Sequence, residues 1–167
     1  MSESSGTRDP QGEGASATLV VVDAPSMEDV LALEDRIDDF NVAATGADDG
    51  RYLTVILKRD DGTIYAGLHG HTWAGFCEIK TLWIEESERG KGLGSRLLAA
   101  AEAESRRRGC RVIHLESFTF QAPEFYLRHG FEPFARLEDL PVGHANVFLI
   151  KRLGPQAEDD TTQRSAG

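Results

Sequence analysis

The stretch ERGKGLGSRLL, from Glu88 to Leu98, limits the fold more than any other part of the chain. It follows an apolar, β-rich run, CEIKTLWIEE, which reads as a strand. It opens a helical pattern in which Leu93, Leu97, Leu98 and Ala101 fall on one face, closed by Gly109. A second β-rich run, RVIHLESF, comes next. Strand, glycine turn, helix and strand make a βαβ unit, whose two strands lie parallel in one sheet. A glycine-rich turn at a helix start also aims several backbone N–H groups at one point, where the helix dipole adds positive potential. Such a point accepts an anion.

Three phosphate-binding designs share this look. A P-loop needs G-x-x-x-x-G-K-[ST], but Lys91 is followed by Gly92, and no glycine stands five residues before it. A dinucleotide site needs G-x-G-x-x-G and an acid about 20 residues on. Here Gly90, Gly92 and Gly94 alternate, and Arg106–Arg111 is basic. The third design cradles the pyrophosphate of coenzyme A.

The remaining chain supplies further elements. TLVVVDA (Thr18–Ala24) reads as a strand, and Ser26 caps a helix carrying Val30, Leu33 and Ile37 on one face. RYLTVILKRDDGTIYAGLHGHTW reads as two strands around an Asp-Asp-Gly turn. PEFYLRHG is a short helix with Pro123 early and Gly130 closing it, followed by strands FEPFARL and ANVFLIKRL. The expected order is β-α-β-β-β-α-β-α-β-β, a three-layer α/β/α arrangement on a mixed sheet. Residues 1–16 and 155–167 are rich in small and acidic residues and read as disordered tails around a single domain, residues 17–154.

The net charge of -10 argues against a general nucleic-acid or anionic-membrane binder. No apolar run approaches the roughly 18 residues of a membrane span. With no apolar signal core at the N-terminus, a cytoplasmic protein is expected. The charge is uneven. Asp23–Gly50 holds nine acids against Arg36, whereas Arg89–Arg111 holds seven bases against Glu102 and Glu104. Solvated helix faces explain both regions. So do two sites of opposite preference, one for an anion and one for a cation. Cys77 and Cys110 have neither disulfide-framework nor zinc spacing and read as reduced thiols.

RGKGLG resembles the [QR]-x-x-G-x-[GA] signature of the GNAT superfamily of acyl-CoA N-acyltransferases, with Arg89, Gly92 and Gly94 at the marked positions. APEFYLRHGFEPF resembles that family's downstream motif, a short helix with a tyrosine, here Tyr126, before a Gly-Phe turn, Gly130-Phe131. The resemblance covers about residues 53–153. It implies a GNAT fold whose central parallel strands splay apart after the glycine turn, and acetyl-CoA in the gap as co-substrate. Backbone groups of Leu82, Trp83 and Ile84 would pair with the pantetheine arm. The N–H groups of Gly90, Lys91, Gly92, Leu93, Gly94 and Ser95, together with Arg89, would hold the pyrophosphate. Many relatives carry an Asn near the end of the next strand, where this chain has Thr119. Its hydroxyl, directly or through water, would take that contact.

Acetyl transfer to an amine needs a base for the nitrogen and an acid for the leaving thiolate. Glu78 lies eleven positions before Arg89, a spacing similar to that of the glutamate base in some GNAT enzymes. A surface carboxylate paired with Lys80 is its bland alternative. Tyr126 is the candidate acid, or else a core tyrosine. His69 and His71 form an H-x-H pair without a nearby third ligand, so no metal is expected. His114 faces either the gap or solvent, His129 reads as a surface residue at a helix end, and His144 lies in a loop within reach of an acceptor. Phe118, Phe120 and Gln121 stand where a pocket would be lined. The acidic segment would favour a cationic amine, small-molecule or peptidic, as acceptor. The leading expectation is an acetyl-CoA-dependent N-acetyltransferase. The alternatives are a non-catalytic acyl-CoA sensor or partner domain of the same fold, and a toxin-type enzyme acting on aminoacyl-tRNA, which the acidic balance opposes. A homodimer is compatible with the fold.

Overall fold

The structure is a computed structural model that describes residues 19–154. The chain divides into two compact units after Phe40. In the first, Leu19–Ala24 forms no strand, contrary to the sequence expectation. A β-branched run becomes a strand only where a ladder partner accepts it, and none pairs with this one. Helix α1, Met27–Thr45, starts as expected. The Asp29 N–H donates to Ser26 Oγ at 3.0 Å, and the Ser26 hydroxyl donates to Asp29 Oδ2 at 2.7 Å. Both expected tails lie outside the described residues.

The second unit holds a six-stranded mixed sheet. Its strands are β1 (Arg51–Lys58), β2 (Ile64–Trp73), β3 (Phe76–Ile84), β4 (Val112–Phe118), β5 (Glu132–Glu138) and β6 (Ala145–Arg152), in spatial order β1-β2-β3-β4-β6-β5. Helices α2 (Leu93–Arg107) and α3 (Pro123–Arg128) complete it. The β1–β2 turn forms where expected, with Gly62 at φ 86° and Asp61 Oδ1 accepting the Thr63 N–H at 2.8 Å. Only β3 and β4 run parallel, joined through α2 as the glycine turn requires. Alternate residues of these strands, including Cys77, Ile79, Ile113 and Leu115, bury one face against Leu97 and Leu98 of α2. Cys110 lies in the same core, its thiol donating to Phe76 O at 3.4 Å. Both cysteines are free and buried. Burial raises the pKa of Cys77 and pushes that of Cys110 up to about 11.

One arginine fastens α2 to the sheet. Arg108, just past the helix end, donates to Tyr52 O at 2.9 Å and Thr72 Oγ1 at 3.1 Å, and its Nε donates to Glu104 at 2.7 Å. Bonds from Arg107 and then Arg108 lower the Glu104 pKa from 4.5 to about 2. A carboxyl group depressed on folding stabilises the fold above its unfolded pKa and loses that contribution as pH falls through the folded value. Glu104→Gln is therefore expected to differ from the parent above pH 4.5 and to converge with it between 4.5 and about 2. Denaturant titrations across that range measure it, and parallel curves would refute it.

Among the described residues, no helix is long and apolar enough to cross a membrane.

Candidate active site

β3 and β4 pair in register from Phe76↔Val112 to Ile79↔Leu115 and then part. The cause lies on the other side of β3. Against β2, Gly70 pairs with Ile79 and His69 with Thr81, so Lys80 is an extra residue, a β-bulge. A bulge bends its strand and increases its twist, and here the bend begins where β4 is lost. Gly70 is required opposite it, since a Cβ there would stand 1.9 Å from Glu78 O.

The parting leaves a cleft of about 660 Å³. Lys80, Thr81, Leu82, Trp83 and Ile84 form one wall. Between Lys80 and Ile84 the edge of β3 toward β4 has no strand partner, so its backbone groups are open to a ligand carrying amides of its own. Leu115, Glu116 and Ser117 form the opposite wall, with Phe120, Gln121, Phe125 and Tyr126 across the end.

The glycine turn closes the cleft. Gly90 and Gly92 have φ of 75° and 76°, a backbone conformation that favours glycine. Gly92 is the N-cap of α2 and no side chain caps it. The N–H groups of the first helical turn, Leu93–Ser95, have no intrahelical acceptor. Gly94 lies against the cleft, where a Cβ would come within 3.1 Å of the Phe125 ring and 3.3 Å of Ile84. Arg89 lines the cleft, and its Nε donates to Ile84 O at 3.1 Å. An unpaired strand edge leading to an uncapped helix start fits the amide-bearing arm and pyrophosphate of coenzyme A.

The structure gathers some expected residues and separates others. Leu82, Trp83, Ile84, Arg89, Gly94 and Tyr126 line the cleft. Lys91 does not, for its ammonium pairs with Glu88 at 2.9 Å. Leu93 is buried in the core, which leaves its N–H as its possible contribution. The Ser95 hydroxyl lies 2.9 Å from His129 Nε2. His129 Nδ1 lies 2.7 Å from Phe125 O, which requires the proton on that nitrogen, so in the neutral ring Nε2 accepts from Ser95. Half-buried His129 thus bridges α3 and α2 and is not the surface residue expected.

Thr119 is not on the cleft wall. Its Oγ1 accepts the Ala145 N–H at 3.0 Å, and it lines a different groove, between α3 and β5. Gln121 and Phe120 reach the cleft in its place.

Glu78 stands at the fork, paired in register with His114 one step before the last β3–β4 pair. Its carboxylate lies 3.2 Å from His71 Nδ1 and 3.8 Å from Lys80 Nζ, and it is not part of the cleft wall. Tyr126 is buried and makes edge contacts with Phe125 and Phe131. Its hydroxyl forms no hydrogen bond among the described residues, and burial raises its pKa. Such a phenol keeps its proton at neutral pH. The sequence reading passed over Glu116 and Phe125, although strand alternation puts Glu116 on the same face as His114. Among the described residues, no group of three His, Cys, Asp or Glu side chains is placed to hold a metal ion.

Known proteins match this geometry. Residues 48–133 fit the family model described as an acetyltransferase (GNAT) domain. An acetyltransferase of Agrobacterium fabrum is 34% identical over 134 residues, 80% of this chain and 98% of that one. A blasticidin-S acetyltransferase of Streptomyces morookaense is 41% identical over 93 residues, 55% of this chain and 68% of that one. A crystal structure of an Agrobacterium tumefaciens acetyltransferase superposes with a TM-score of 0.75 at 33% identity, covering 82% of this chain and all of that one. The chain therefore belongs to the GNAT family of acetyltransferases, with acetyl-CoA as its co-substrate.

Proposed function

We propose that the protein transfers the acetyl group of acetyl-CoA to a primary amine on a small cationic molecule, with Glu78 as proton acceptor and Tyr126 as proton donor. The observation that carries the reading is Tyr126, its ring buried and its hydroxyl without a hydrogen-bond partner among the described residues, on a cleft between two parted strands. The amine nitrogen attacks the thioester carbonyl. The C–N bond forms, the C–S bond breaks, and the nitrogen must lose a proton while the sulfur gains one. Tyr126 supplies the sulfur's proton. Glu78, at the fork but outside the cleft wall, takes the nitrogen's proton through water. Leu82, Trp83 and Ile84 pair with the pantetheine arm, and the Gly90–Ser95 N–H groups with Arg89 hold the pyrophosphate.

A small-molecule acceptor is supported by the relative named for blasticidin S. A cationic one is supported by the chain's net charge of -10, which favours the approach of a cation.

The test is isotope-labelled acetyl-CoA with a pool of polyamines, amino sugars, amino acids and short peptides, read by mass spectrometry. One labelled amide is expected. Glu78→Gln should lower kcat about 10²–10⁴-fold, the usual worth of a positioned base, while acetyl-CoA still raises the melting temperature. Unchanged turnover in that variant would remove Glu78 from the mechanism. A thermal shift with no labelled product would point to a binding protein.

A further inference from the structure

The carboxylate on the cleft wall is not Glu78 but Glu116. It stands one residue beyond Leu115, the last β4 residue paired with β3. Its Oε2 accepts from Asn146 Nδ2 at 2.6 Å. Asn146 belongs to β6 and is only 3% exposed, between buried Ala145 and Val147. An amide facing a carboxylate must offer its nitrogen, so Asn146 Oδ1 points the other way. Among the described residues this oxygen is the buried side-chain polar atom without a hydrogen-bond partner. A leucine or valine there would leave no such unmade bond. What the amide accomplishes is to fix one carboxylate at the mouth of the fork.

That carboxylate is also unneutralised. Glu85, Glu88, Glu102, Glu104 and Glu138 each pair with an arginine or lysine. Glu116 forms no ion pair among the described residues. The two basic side chains on the cleft are turned elsewhere, Lys80 toward Glu78 and Arg89 to Ile84 O. A neutral amide orients Glu116 without cancelling its charge.

We infer that Glu116, positioned by Asn146, binds a cationic nitrogen of the acceptor other than the one that is acetylated. The attacking nitrogen needs a free lone pair aimed at the thioester, and a nitrogen held as a cation against a carboxylate has none. The acceptors are therefore small molecules with at least two basic nitrogens, such as diamines, polyamines, amino sugars, or amines bearing a guanidino group. This rests on the acetyl-transfer reading above and adds the residue that selects the acceptor.

The test titrates 1,4-diaminobutane and n-butylamine into wild-type protein, Glu116→Gln and Asn146→Leu, each with and without saturating CoA. These amines share a carbon chain and differ by one basic nitrogen. Wild type should bind the diamine about ten-fold tighter, the scale of one partly desolvated charge pair. Glu116→Gln should bind both amines alike, and Asn146→Leu should fall between. In turnover the loss should appear in KM, with kcat held, which a merely structural role for Asn146 would not produce. Equal affinities in wild type, no binding of either amine, or discrimination that survives in Glu116→Gln would each overturn the inference. The acetyl-CoA melting shift is read on all three proteins. Its absence from wild type would overturn the acetyl-transfer reading instead, and its persistence while discrimination fails would overturn the Glu116 assignment alone.

Discussion

Tyr126→Phe is expected to lower kcat about 10²–10⁴-fold, the range of a positioned general acid, and to leave acetyl-CoA binding unchanged. The departing thiolate needs a proton, and Tyr126, its ring buried, lines the cleft. Phenylalanine keeps the ring and its edge contacts with Phe125 and Phe131. The hydroxyl has no partner to strand, so stability should change by less than about 1 kcal/mol. A pH profile separates acid catalysis from packing. A phenol donates while protonated, and burial raises the Tyr126 pKa. The wild-type alkaline limb assigned to it should therefore lie above the ordinary tyrosine value of about 10, and Tyr126→Phe should abolish it. Equal kcat in the two proteins would remove Tyr126 from the chemistry.

The largest effect on the fold is expected from one methyl group. Gly70→Ala places a Cβ 1.9 Å from Glu78 O and 3.0 Å from both Glu78 C and Ile79 Cα, all backbone atoms that cannot swing aside. The β2–β3 ladder must open or slide at the residues that set the Lys80 bulge. A loss of about 2–4 kcal/mol is expected, at the upper end for overpacking. Because the bulge begins the divergence of β3 from β4, activity should fall further than stability alone explains. Gly50→Ala is the control, since its Cβ would meet only the Trp73 side chain at 3.5 Å. Urea denaturation of both variants decides the matter, and equal midpoints would show that the ladder absorbs the methyl group.

Local chemistry was what the sequence displayed well. Gly92 and Gly94 need their backbone freedom and small size where they stand, and their spacing before Leu93, Leu97 and Leu98 marks strand, turn and helix without tertiary information. Tyr126 and the cleft wall at Leu82–Ile84 came from the resemblance of two motifs to the GNAT family, and the βαβ unit added only the parallel pair. Leu19–Ala24 misled because β-propensity describes a surface that fits a sheet, and no strand received it. That the Thr119 oxygen accepts from Ala145, 26 residues away, is likewise a matter of loop closure that no local pattern shows. The Asn146–Glu116 bond joins residues 30 apart on neighbouring strands. The Lys80 bulge depends on the register with β2. Both are properties of pairing, and no window of sequence contains them.

The two core thiols bear on how such a protein coexists with its own reagent. Acetyl-CoA is an activated acyl donor, and a cysteine near it is a potential rival to the amine. Exchange between a thiol and a thioester proceeds through the thiolate. Cys77 is 0% exposed, one residue from Glu78, and Cys110 is 6% exposed, with burial holding both in the neutral form. The apolar packing that anchors β3 against α2 thus also leaves these two thiols little thiolate with which to attack a thioester.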